Sequence, residues 1–163
     1  MADIENKFPQ REKLPHGTPP WVRADAIFFI TICCALRGTN QLCVESVAAM
    51  IWESITFRQN RGDWFVHLWL LMPDHLHALV SFPQELNPTK IISNWKEIIA
   101  KKTGVKWQRD FFDHRLRSDE SHEEKANYIR QNPVRKGLVA NAEDWKFVWE
   151  SQNGGLSGPA LPH

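Results

Sequence analysis

The sequence predicts an α+β fold of the ferredoxin-like type: a β-α-β-β-α-β antiparallel sheet with an added C-terminal helix that carries the tyrosine. Two observations predict it. Short runs rich in β-branched and aromatic residues alternate, in that order, with stretches whose apolar residues recur at helical spacing. The two central strand-like runs are joined by Pro73-Asp74 alone, which indicates a hairpin-like connection. Both helices would cover one face of the sheet and leave the opposite face free to build a site.

The first half of the chain supplies three strands and one helix. Residues 26–35 are a β-branched and aromatic run, which predicts a central strand. Residues 44–58 carry apolar side chains near helical spacing and predict an amphipathic helix. Residues 64–72 and 75–82 predict the two strands of the hairpin.

The second half supplies a helix, a strand and the tyrosine helix. Residues 89–102 predict the second helix, and residues 105–116 a fourth strand or extended segment. Ser121 and Glu124 form a capping box that opens a helix running to about Asn132, where Pro133 ends it. Around this folded domain, residues 26–149, we expect an irregular lead-in over residues 1–25 and a flexible tail over residues 150–163.

The composition is typical of a globular protein in a reducing compartment of the cell. Hydrophobic residues make up 42% of the 163 residues and charged residues 24%. No apolar run approaches the roughly 18 residues that a membrane helix needs, so we expect no membrane association. The N-terminal residues lack the apolar stretch of a signal peptide, and the three cysteines have no disulfide-framework spacing. These observations predict a cytoplasmic location.

Positive charge is concentrated in one segment although the net charge is only +1. Residues 90–136 hold 12 Lys and Arg against 7 Asp and Glu, and the segments on either side are each net negative. This distribution is typical of a surface that meets a phosphate backbone. It is equally compatible with an ordinary solvated helix face.

His75 and His77 form the first motif that carries chemistry. Because side chains alternate along a strand, both imidazoles point to one face while Leu76 and Ala78 point to the other. Two neutral imidazoles on one face can bind a metal ion, and the neighbouring Asp74 is either a partner of the pair or a turn residue. Two alternatives stay open: ordinary polar side chains, or a structural zinc site that adds one of the adjacent cysteines, Cys33 or Cys34.

Tyr128 is the only tyrosine of the chain and lies four residues before Asn132, so the two can share a helix face. A phenol becomes a useful nucleophile only when a base or cation favours its ionised form. A metal held by the histidine pair would supply that cation, and the carbonyl oxygen of Asn132 could complete its coordination. Alone, a tyrosine on an amphipathic helix is equally a packing residue.

Together these motifs resemble a known family. The pairing of MPDHLHALV (residues 72–80) with YIRQNPVRKGLV (residues 128–139) is similar to the single-tyrosine HUH transposases. The intervening WQRDFFDHRLR (residues 107–117) resembles the REP-associated branch of that family. The resemblance covers residues 26–149.

The resemblance implies a metal-dependent endonuclease and strand transferase that acts on single-stranded, REP-like hairpin DNA. Tyr128 would attack the scissile phosphate, leaving a 5′-phosphotyrosine link and a free 3′-hydroxyl. His75 and His77 would be the two HUH ligands of Mg²⁺ or Mn²⁺, with Asn132 as the polar residue one turn beyond the tyrosine. Some relatives carry Gln at the position of Asn132. Family relatives include swapped dimers, so the resemblance is compatible with a homodimer.

Basic residues of the same segment are the candidates for DNA contacts. Guanidinium groups grip phosphates bidentately, and lysines contribute charge alone. The predicted set is Arg115, Arg117, Arg130, Arg135, Lys101, Lys102, Arg109 and, on a base or at the rim of the site, His114. The alternative function is a non-catalytic module that binds hairpin DNA or RNA on the same fold.

Overall fold

A computed structural model describes residues 21–22, 26–117 and 121–151 and contains one five-stranded antiparallel sheet. The sheet order is β4-β1-β3-β2-β5, in which the first four strands have the ferredoxin-like arrangement that the sequence predicts. The strands are β1 (Ile27–Cys33), β2 (Phe65–Leu71), β3 (His75–Ser81), β4 (Phe112–Arg115) and β5 (Val148–Glu150). The helices are α1 (Glu45–Arg61), α2 (Pro88–Thr103), α3 (His122–Arg130) and α4 (Asn132–Arg135), and a 3-10 turn spans Ala142–Asp144.

One face of the sheet packs on α1 and α2 and forms the main core. Three fully buried tryptophans fill it, and the ring of Trp69 lies 5.5 Å from that of Trp64 and 5.1 Å from that of Trp95. Trp95 is therefore a core residue. The two helices end at Gly62 and Gly104, whose left-handed conformations let the backbone turn away.

Three features differ from the sequence prediction. The fourth strand is only Phe112–Arg115, and further upstream the segment forms one isolated bridge, from Trp107 to Cys34, the residue after β1. Pro133 does not stop helical geometry, because proline is tolerated in the first turn of the new helix α4. The strand β5 was not predicted, since three residues are too few to show a period.

The second face of the sheet carries α3, which packs over β2 and β3 of its own chain. Both faces of β3 are consequently buried along its whole length. Most of the predicted lead-in and of the predicted tail lies outside the described residues, namely residues 1–20, 23–25 and 152–163. Within the described residues, no helix combines the length and the apolar character that crossing a bilayer requires.

Candidate active site

His75 and His77 lie side by side on the sheet face that carries α3. Their ring centroids are 4.9 Å apart, and only 7% and 9% of the two residues is exposed. The antiparallel register places His75 opposite Cys33 and His77 opposite Thr31 of β1. The two imidazoles thus share one face, as the alternation of the strand predicts.

Each histidine is oriented by a hydrogen bond at Nδ1. Nδ1 of His75 lies 2.8 Å from a carboxylate oxygen of Asp74, and Nδ1 of His77 lies 2.9 Å from the hydroxyl of Thr31. With Nδ1 of both rings committed to protein partners, Nε2 is the nitrogen through which either ring would bind an ion. Metal-binding histidines are commonly oriented in this way.

Electrostatics keep both rings neutral, which is the form that coordinates a metal. Burial lowers the pKa of His77 to about 3, with smaller contributions from the charges of His75 and Arg135. Burial also lowers the pKa of His75, against the opposing effect of the Asp74 carboxylate. Although burial alone would raise the pKa of Asp74, hydrogen bonds from Gly38 N–H, His75 and Arg37 hold it well below its usual range.

Tyr128 lies on α3 above the same face and is 53% exposed. Its ring centroid is 6.2 Å from that of Phe29 on β1, and the ring of Phe29 in turn is 5.7 Å from that of His77. The guanidinium carbon of Arg135 lies 4.2 Å from the centroid of the Tyr128 ring. Through these contacts the fold brings the tyrosine and the histidine pair to one region, as the sequence predicts.

Asn132 and Tyr128 lie in two different helices, because α3 ends at Arg130 and α4 begins at Asn132, whereas the sequence predicts one helix that carries both. Tyr128 is exposed, whereas Asn132 is only 5% exposed at the start of α4. Its role as a metal ligand stays a prediction.

The two neutral imidazoles fit a divalent ion that must keep open coordination sites, because two nitrogen ligands leave room for phosphate oxygens. The zinc alternative finds no support in the described part of the chain, where no three His, Cys, Asp or Glu side chains are grouped to hold a metal. Cys34 is buried, and burial is the main reason that its pKa rises to about 12.

The predicted DNA contacts do not all reach this face. Arg130 is held by both carboxylate oxygens of Glu150, at 3.1 and 2.9 Å, and by Glu123 at 3.1 Å. These contacts fasten α3 to β5, and the contact of Arg130 with DNA stays a prediction. Arg115 of β4 pairs with Phe28 of β1 and so faces the side of the sheet that carries α1 and α2.

The other candidates are divided between the two faces. His114 of β4 lies opposite Phe29 of β1 and thus faces the tyrosine side. Lys101 and Lys102 lie in the last turn of α2, on the far side of the sheet. Arg109 and Arg117 are exposed in the segments before and after β4. Among the predicted cations, Arg135 contacts the tyrosine.

Several site residues were missed from the sequence. Phe29 and Thr31 belong to the site because the β1–β3 register sets them beside the histidines. Phe112, an exposed aromatic residue on the same face of the edge strand, has its ring 6.4 Å from that of Phe29. Alternation along β1 places Phe29 and Thr31 on one face. The sequence does not give the pairing register between β1 and β3, which sets them beside the histidines.

Comparisons with known proteins agree on one family. The sequence profile described as "Transposase IS200 like" matches residues 29–132. A REP-associated tyrosine transposase of Escherichia coli K12 is 31% identical over 117 residues, which are 69% of this chain and 70% of that protein. An uncharacterized protein of Haemophilus influenzae is 26% identical over 153 residues, covering 69% of this chain and 82% of the relative.

A solved structure has the same fold. It is that of a REP-associated tyrosine transposase bound to a REP hairpin, with a TM-score of 0.68 and 20% sequence identity. The superposition covers 81% of this chain and 80% of that one.

Proposed function

Because the chain belongs to the IS200-like transposase family, we propose that it is a metal-dependent endonuclease and strand transferase for single-stranded hairpin DNA. One observation carries the proposal. The only tyrosine of the chain is exposed on the sheet face where two neutral, oriented histidines lie side by side. A nucleophile and an ion site on one face are what phosphodiester cleavage through a covalent intermediate requires.

In the proposed reaction the phenol oxygen of Tyr128 attacks the scissile phosphorus. The new bond joins that oxygen to phosphorus, and the bond from phosphorus to the 3′ oxygen breaks. The 3′ oxygen leaves with the electron pair and takes up a proton, while the phenol proton passes to solvent. The 5′ end stays on Tyr128 as a phosphotyrosine, and attack by a 3′-hydroxyl on this link rejoins a strand.

The chain's own residues orient this reaction. His75, His77 and Asn132 would hold Mg²⁺ or Mn²⁺, which supplies polarisation of the phosphate and neutralisation of its developing charge. Asp74 and Thr31 fix the orientation of the two imidazoles. Burial keeps both rings in their neutral form.

Hairpin DNA is the proposed substrate class. A protein of the same fold was solved bound to a REP hairpin, which supports a REP-like hairpin as the ligand. On this chain His114 and the exposed Phe112 flank the tyrosine side, so they are candidates for contacts to unpaired bases. The remaining predicted cations would contact the phosphate backbone of longer DNA, at the edge of the sheet and beyond it. They are Arg109, Arg115, Arg117, Lys101 and Lys102. A homodimer and a cytoplasmic location stay predictions.

The alternative is a module that binds the same hairpins without cutting them. The fold and the basic segment serve either function, so the discriminating feature is the chemistry of Tyr128. A hairpin-binding module needs neither an exposed phenol nor two neutral histidines beside it.

The test is cleavage of labelled hairpin DNA. Hairpins with single-stranded flanks and a label on the 3′ side of the cleavage region are incubated with Mn²⁺ and the protein, or with its Tyr128→Phe variant. This variant removes only the phenol oxygen and is the matched control. We expect labelled DNA covalently attached to the wild-type chain in a denaturing gel, no attachment with Tyr128→Phe, and none with His75→Ala or with a chelator. Tight hairpin binding without cleavage or attachment would overturn the proposed enzymatic activity and favour the binding module.

A further inference from the structure

Arg135 contacts both the ring and the backbone of Tyr128. Its guanidinium carbon lies 4.2 Å from the centroid of the phenol ring, within the range of a cation–π contact. Its Nη2 donates a 2.8 Å hydrogen bond to the carbonyl oxygen of Tyr128. That carbonyl is among the last of α3, where no further helical turn can supply a donor.

The short helix α4 brings Arg135 back to the tyrosine. The helix α4 begins at Asn132 with Pro133 in its first turn, and the chain turns away after it at Gly137, whose φ is 73°. Arg135 follows Tyr128 by seven residues in the sequence, and this turn folds it back against the tyrosine. The NPVR motif after the tyrosine helix thus has a structural purpose that does not require DNA.

The tyrosine ring has two partners from different elements. Phe29 of β1 contacts the ring with a centroid distance of 6.2 Å, and Arg135 of α4 contacts it at 4.2 Å. The charge of Arg135 also acts on His77, so this arginine is close to both parts of the candidate site. An exposed tyrosine without such contacts would sample several rotamers.

We propose that Arg135 is a positioning residue, which holds the Tyr128 ring in a fixed orientation relative to the histidine pair. The proposal rests on the function proposed above and deepens it. A nucleophile reacts fast only when its atom is held near the line of attack, and a displacement of about 1 Å can lower the rate about 100-fold. The sequence alone assigns Arg135 to a DNA phosphate, a role that would affect substrate affinity.

The two roles separate in experiments on three variants. Arg135→Gln removes the charge and the planar stacking group, and Arg135→Lys keeps the charge but loses the planar fork. Lys136→Gln is the matched control, since it removes an equal charge one residue away from a side chain that is likewise exposed. Thermal unfolding of each variant first establishes that it is folded.

The first readout uses neither DNA nor metal, so it is independent of whether the proposed reaction occurs. Because Tyr128 is the only tyrosine, nitration of the peptide that contains it, followed by mass spectrometry, reports the exposure of this one ring. We expect several-fold faster nitration in Arg135→Gln, a smaller increase in Arg135→Lys, and the wild-type rate in Lys136→Gln. Equal nitration rates in the wild type and folded Arg135→Gln would overturn the proposal.

The second readout is the rate of covalent attachment to hairpin DNA at saturating DNA. We expect Arg135→Gln to lower this rate about 10- to 100-fold with little change in the DNA concentration that gives half the maximal rate. If the maximal rate were unchanged and the half-saturating DNA concentration were raised, the positioning role would be overturned. The result would instead indicate that Arg135 contacts a DNA phosphate.

Discussion

The Asp74 carboxylate joins the first histidine of the candidate metal site to the loop after β1. One of its oxygens lies 2.8 Å from Nδ1 of His75, and the other accepts from Arg37 Nε at 3.0 Å and from the Gly38 N–H at 2.7 Å. The turn that makes the β2–β3 hairpin therefore also sets the orientation and tautomer of His75. A turn residue and a partner of the histidine pair, which the sequence left as alternatives for Asp74, are both correct descriptions.

Replacing Asp74 with alanine is expected to weaken metal binding while the chain stays folded. Loss of a carboxylate that orients a ligating histidine lowers metal affinity by about 10- to 100-fold. Titration of the protein with Mn²⁺, followed by electron paramagnetic resonance, measures this affinity. Asp113→Asn, on the exposed edge strand β4, is the control and should bind Mn²⁺ as the wild type does. Equal affinities of Asp74→Ala and the wild type would exclude the orienting role.

Arg130 and Glu150 fasten the tyrosine helix to the last strand, and breaking this pair should destabilise the fold. The Glu150 side chain is almost fully buried, so Arg130→Gln leaves a carboxylate without its partner. We expect the free energy of unfolding in urea to fall by about 3 kcal/mol, and part of the loss to be recovered in the double variant with Glu150→Gln.

An exposed ion pair supplies the control for that experiment. Lys101→Gln breaks the pair of Lys101 with Glu97, whose side chains are both largely in solvent. We expect a change below about 1 kcal/mol. If Arg130→Gln costs no more than Lys101→Gln, the Arg130–Glu150 pair does not hold the tyrosine helix in place.

His67 should make stability depend on pH. Burial lowers the pKa of its imidazole from 6.5 to about 3, and Nε2 lies 2.8 Å from the hydroxyl of Ser81. Between these pH values the unfolded chain binds a proton at His67 that the folded chain does not. Stability from this group is therefore complete above pH 6.5 and is lost as the pH falls toward 3.

The measurement is urea unfolding of the wild type and His67→Gln at several pH values in that window. Glutamine cannot titrate, so the slope of unfolding free energy against pH should decrease by up to about 1.4 kcal/mol per pH unit. Parallel pH profiles of the two proteins would show that His67 does not contribute. The neighbouring His122, whose ring centroid is 5.1 Å away, makes an informative second variant.

Local patterns in the sequence predicted much of the fold and the histidine pair. Alternation along β3 was enough to place His75 and His77 on one face, because a strand has a period of two wherever it pairs. The order of the elements followed from hydrophobic periodicity, and it led to the correct positions of the first four strands in the sheet.

Long-range pairings could not be predicted in this way. The contact of Arg130 with Glu150 depends on β5, a strand of three residues that no pattern reveals. The same holds for the contact of Arg135 with Tyr128. It depends on the second helix α4, whose first turn contains Pro133, the residue that was expected to end the first helix. The meeting of Tyr128 with the histidines was expected from family resemblance, and not from spacing.

Phe29 offers the last test, because it lies between the two halves of the site. Its ring contacts Tyr128 and His77, whereas the adjacent Phe28 points to the other face and packs on Phe82. Phe29→Leu and Phe28→Leu each remove one aromatic ring from β1, and each should cost about 1–3 kcal/mol in stability. Only Phe29→Leu should also slow covalent attachment to DNA, by up to about 100-fold, since it frees one side of the tyrosine ring. Single-turnover assays at saturating DNA and Mn²⁺ measure the rate. Equal slowing in the two variants would mean that the rate follows the stability of the sheet, and that the Phe29 contact does not orient the nucleophile.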